Sequence, residues 1–65
     1  MRLEYVALQS GRVLDTIDVD VTGARPVAYA TGRARGTVDT VRRRGGLRAL
    51  DGWTNGYVAL RPLSD

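Results

Sequence analysis

The sequence predicts an all-β fold, a small and strongly bent barrel of five or six strands. Three observations predict it. The first 21 residues alternate with a period of two, turn dipeptides punctuate the last third, and glycine-bounded short strands recur at roughly ten-residue spacing. One competing arrangement stays open: an α+β domain of ββαββ order with a helix spanning about 26–44.

Leu3, Tyr5 and Ala7 alternate with Arg2, Glu4 and Val6. Beyond Ser10-Gly11, Val13, Asp15, Ile17, Val19 and Val21 alternate with Leu14, Thr16, Asp18 and Asp20. Period two with β-branched content reads as two strands joined by a turn at 9–12. Ile17, Val19 and Val21 form the clean apolar face, with Asp18 and Asp20 toward water.

The last third divides at Asp51-Gly52 and Asn55-Gly56, two strong turn dipeptides on either side of Trp53. Residues 47–50 and 57–61 then read as strands of a second hairpin. Pro62 ends it by withholding a ladder N–H. Gly52-Trp53 and Tyr57-Val58 resemble the end of small SH3-like barrels, a likeness of four residues that transfers no site.

The middle supports both folds. As a helix, Pro26 suits the first position, Gly45 the C-cap, and Val27, Ala30, Ala34, Val38 and Val41 fall on one face. Gly32 and Gly36 oppose this at about 1 kcal/mol each in a helix interior. As strands, 27–31 and 37–43 flank a loop at 32–36, but Val38, Thr40 and Arg42 share a face while Asp39 and Val41 share the other. Neither face is clean.

Sixty-five residues make one domain with a thin core, and the absence of cysteine removes any disulfide or thiolate metal site. An apolar fraction of 43% supports a folded domain rather than a disordered tail. No apolar run reaches the roughly 18 residues of a membrane span, and Glu4 and Gln9 interrupt any signal-peptide core. These features predict a cytoplasmic, soluble chain with no membrane partner.

Without histidine or cysteine the chain lacks the usual general base and the thiol nucleophile. Asp18 and Asp20 read as a solvated strand face rather than a cation site. Gly32–Gly36 lacks the lysine and hydroxyl of a phosphate loop. The expectation is a non-catalytic domain with no cofactor, no metal and no small-molecule substrate.

Charge is the most informative feature. Ten arginines and no lysines stand against six aspartates and Glu4. A GC-rich genome would account for missing lysines, but not for where the arginines fall. Residues 21–48 hold seven arginines against Asp39 alone, a net of +6, between acidic flanks of −2 and −1. Arg33, Arg35, Arg42, Arg43, Arg44 and Arg48 are therefore the candidate contacts to DNA or RNA phosphates, or to an acidic protein surface. Trp53 and Tyr57 are the candidate aromatic contacts, with Trp53 also suited to the core. The first functional reading is nucleic-acid binding through this arginine-rich middle. The alternative is a small adaptor or inhibitor that docks on an acidic protein surface or by strand addition, with a homodimer as one form.

Overall fold

The computed structural model describes residues 1–20, 23, 27–30 and 32–63. Val21, Arg25, Pro26 and Thr31, on which parts of the expectations above rest, lie outside the described residues. Strands β1 (Arg2–Ala7), β2 (Val13–Asp20) and β3 (Val27–Ala30) are followed by helix α1 (Arg35–Gly45), a 3₁₀ turn (Leu47–Ala49) and β4 (Val58–Pro62). The strands form one antiparallel sheet in the order β3-β2-β1-β4. The chain thus leaves the β3 edge, crosses one face of the sheet as α1, and returns to pair with β1 at the far edge.

The N-terminal hairpin matches the alternation read from the sequence. Leu3, Tyr5, Ile17 and Val19 are buried on the helix side of the sheet. Arg2, Glu4, Thr16, Asp18 and Arg61 share the opposite face through the register of β1 with β2 and β4. Arg2 Nε donates to Asp18 Oδ1 there at 2.9 Å, in an exposed pair. One irregularity was not foreseen. Tyr5 pairs with Asp15 and Val6 with Val13, so Leu14 is an extra residue. This bulge lets Leu14 pack against the core, where strict alternation assigned it to the polar face.

The barrel is corrected by this topology. Among the described residues no strand joins β3 to β4, and a helix covers one face instead of the sheet closing on itself. The ββαββ alternative is also corrected in its details. Among the described residues three strands precede the helix and one follows it, and α1 covers 11 residues rather than the span 26–44. Val27–Ala30 pairs with β2, and the proposed loop at 32–36 is a turn leading into helix at Arg35. The expected strand at 47–50 is the 3₁₀ turn followed by Leu50, which is buried in the core.

Two physical terms explain why the 35–45 segment is helical despite Gly36 and its threonines. Four of its 11 residues are arginine, a strong helix former, and Arg42, Arg43 and Arg44 occupy the last turn beside the negative end of the dipole. Ala34, Val38 and Val41 also present a narrow apolar stripe to the sheet, and all three are buried. Burying a valine side chain contributes about 1.5–3 kcal/mol, enough to outweigh one interior glycine. Gly46 ends the helix at φ 74°, its N–H donating to Arg42 O at 2.9 Å.

Asp15 ties the helix entrance to the sheet. Its Oδ2 accepts from Gly32 N at 3.1 Å and Ala34 N at 3.0 Å, and its Oδ1 accepts from Thr16 N at 2.8 Å. The helix has no side-chain N-cap of its own. A carboxylate delivered from β2 therefore satisfies the N–H groups of Ala34, the residue that caps α1, and of Gly32 in the turn before it, and complements the positive end of the dipole. Tyr5 adds a second tie, its hydroxyl 3.3 Å from Thr37 Oγ1.

Two stability outcomes are expected. Asp15→Ala lowers unfolding free energy by about 1–2 kcal/mol, since it strands the part-buried Ala34 N–H and removes two exposed bonds with it. Urea denaturation checks this, and a change within a few tenths would contradict the tie. The two glycines of α1 are expected to diverge. A Cβ on Gly36 meets nothing within 4 Å, whereas one on Gly45 meets Ala49 Cβ at 2.7 Å. Gly36→Ala therefore stabilises by about 0.5–1 kcal/mol, while Gly45→Ala destabilises by about 1 kcal/mol through overpacking. Equal shifts in denaturation midpoint would rule out the close helix-to-turn approach.

Candidate functional site

Arg33, Arg35, Arg42, Arg43, Arg44 and Arg48 are all exposed, but they do not form one surface. Arg33 lies in the turn before α1, and Arg48 in the 3₁₀ turn after it. A helix turns about 100° per residue, so Arg42, Arg43 and Arg44 leave α1 in three directions. Arg42 lies on the β3 side together with Arg35, seven residues earlier. Arg43 points away from the sheet. Arg44 lies on the opposite flank. Consecutive charges in a sequence become a cluster on an extended loop and disperse on a helix.

Each flank of α1 carries a recess. On the β3 side a space of about 270 Å³ is bounded by Ala28, Tyr29 and Ala30 and by Arg35, Asp39 and Arg42. On the other side a groove of about 510 Å³ runs between α1 and the 49–55 segment, with Val41, Arg44, Trp53 and Asn55 among its walls. Trp53 is half-buried, packing against the core while contributing to this groove. Tyr57 is 82% exposed beside the start of β4. Tyr29, which the sequence reading did not single out, is 60% exposed on β3.

The two sheet edges differ in how their backbone groups are used. Met1 and Val19 exchange both of their backbone hydrogen bonds, at 2.7 and 2.9 Å. Alternation along the antiparallel ladder then turns residues 15, 17 and 19 toward β1, and 16, 18 and 20 toward β3. Asp18 pairs with Tyr29 and Asp20 with Val27. Val27 and Tyr29 therefore bond inward, and Ala28 and Ala30 direct their N–H and C=O groups outward. Among the described residues nothing is hydrogen-bonded to that edge.

At the β4 edge the same groups are engaged. Leu60 N donates to Trp53 O at 2.8 Å, and Leu60 O accepts from Gly52 N at 3.0 Å. Val58 O accepts from Asn55 N, and Val58 N donates to Asn55 Oδ1. Leu63 N bonds to Arg2 O, so Pro62 withholds its missing N–H from the outer edge and not from the ladder. That corrects the role read for Pro62 from the sequence. Among the described residues, the chain covers the β4 edge of its sheet and places nothing on the β3 edge.

No group of three or more His, Cys, Asp or Glu residues that could hold a metal ion occurs among the described residues. Among the described residues no helix is long and apolar enough to cross a membrane. Sequence reasoning missed the β3 edge because it requires knowing which strand is outermost, information carried by the helix crossover and not by any local motif. In comparisons with known proteins, no family model, no curated protein and no solved structure matches the chain.

Proposed function

We propose that this chain is a protein-binding domain that takes up an extended acidic segment of a partner as an added strand along β3. The observation that carries this reading is the outward-facing backbone of Ala28 and Ala30, flanked on the helix side by Arg35 and Arg42. An unpaired strand edge is a template for another strand, with main-chain bonds supplying affinity and flanking side chains supplying specificity. Ala28 and Ala30 pair with Val19 and Ile17, so their side chains lie on the helix side, while Tyr29 lies on the other. The fitting segment alternates carboxylates toward the two arginines with apolar residues toward Tyr29.

Charge favours an acidic partner over a second copy. Arg35 and Arg42 stand against Asp39 alone in this recess. Pairing β3 with itself across a dyad doubles that cationic excess, whereas an acidic strand neutralises it. Phosphate binding, the other functional expectation, gains less support. It is served best by cations on one continuous surface, and Arg42, Arg43 and Arg44 diverge around the helix.

A synthetic peptide alternating Glu and Val tests the reading, with a Lys-Val peptide as its control. The acidic peptide is expected to bind at least about tenfold more tightly, on the scale of one or two charge-assisted contacts. The Ala28→Pro variant removes an outward N–H without touching the β2 ladder, and should keep its fold by circular dichroism while losing peptide binding. Arg35→Glu with Arg42→Glu should invert the peptide preference. Undiminished binding by Ala28→Pro would contradict strand addition. Tighter, steeply salt-dependent binding of a DNA or RNA oligonucleotide that maps to Arg42, Arg43, Arg44 and Arg48 would favour the phosphate reading instead.

A further inference from the structure

The groove on the opposite flank of α1 has a different character from the β3 recess. Its volume of about 510 Å³ falls within the roughly 300–1,000 Å³ of small-molecule sites. Val41 and Ala49 supply apolar surface, and the half-buried Trp53 indole is held from behind by the core. Gly36 leaves the groove unobstructed at its end, since a Cβ there meets no atom within 4 Å.

The polar groups along the groove are dominated by donors. Asn55 Oδ1 accepts from Tyr57 N at 2.9 Å and Val58 N at 3.0 Å. Those two bonds fix the amide orientation and leave its NH₂ to donate elsewhere. Arg44 adds a guanidinium, and among the described residues no carboxylate lines the groove. Thr40 Oγ1 already donates to Gly36 O at 3.0 Å, so its hydroxyl is left as an acceptor.

We infer that this groove binds a small planar aromatic anion. The ring lies against the Trp53 indole, and its carboxylate takes the Arg44 guanidinium and the Asn55 amide. The pairing follows from complementarity: an aromatic wall suits a flat ring, and a cation beside an amide donor, with no carboxylate among the described lining residues, suits a single negative charge. This inference is independent of strand addition at β3, because it uses neither Arg35, Arg42 nor the strand edge.

Trp53 is the only tryptophan, so its indole N–H resonance reports on the groove directly. The probe is 2-naphthoate, with neutral 2-naphthylmethanol as the matched control. Naphthoate should shift the Trp53 resonance saturably and bind about tenfold more tightly than the alcohol at low salt, the expected gain from a charge-assisted pair. Arg44→Gln should abolish that difference while leaving the alcohol's affinity unchanged. Gly36→Leu, which adds bulk where the fold has space, should weaken both compounds. Equal affinity for acid and alcohol, retention of the preference in Arg44→Gln, or the absence of a saturable shift would each overturn the proposal. So would a protein-concentration-dependent shift of the same resonance without ligand, which places a second copy in the groove. A neutral aromatic peptide amide that outcompetes naphthoate would likewise overturn it.

Discussion

The short helix laid across one face of the sheet is the contact on which the rest of the structure depends. Ala34, Val38 and Val41 are small, and they meet Leu3, Tyr5, Ile17 and Leu60 in a core cluster that Val19 and Leu50 complete. A chain of this length buries little surface, so losing this layer would leave the sheet with two wet faces. The crossing also decides the topology. By carrying the chain from β3 to the far side of β1, it leaves β3 outermost on one side and places β4, with its own covering segment, on the other.

Helix placement is secured from the sheet rather than from within the helix. Asp15 breaks the apolar pattern of its strand face, and that break has a physical purpose. Its carboxylate supplies acceptors at a helix start that has no capping side chain of its own. The bulge at Leu14 sits beside it in the register, keeping an apolar neighbour against the core. A polar residue on an otherwise apolar strand face is thus legible in the sequence. Its partner 19 residues away is not.

How much of the fold could be read from sequence varied along the chain for identifiable reasons. The β1–β2 hairpin was legible because strand alternation and a short turn are local signals. The 27–45 segment was not, because it holds two elements of different period, four residues of strand and then 11 of helix. Its glycines argue against helix, while the arginines that favour helix are read first as charge. Residues 47–50 carry an apolar pattern too short to separate a strand from a 3₁₀ turn. At the candidate sites, charge density was legible but its direction was not. Arg35 and Arg42 meet on one stripe as helical spacing requires, whereas the conspicuous run at Arg42, Arg43 and Arg44 disperses. The edge at Ala28 and Ala30 contains no charged residue, so no inspection of charge would find it.

Native-state hydrogen exchange on the free protein tests the open β3 edge most directly. With β3 outermost and, among the described residues, paired only to β2, the Tyr29 amide, which bonds inward to β2, should exchange far more slowly than those of Ala28 and Ala30, which face outward. The amides of Val38 and Val41 should show the protection of a packed helix. Comparable protection at Ala28, Tyr29 and Ala30 would mean that the edge is covered, and would contradict both the open sheet and the binding mode built on it.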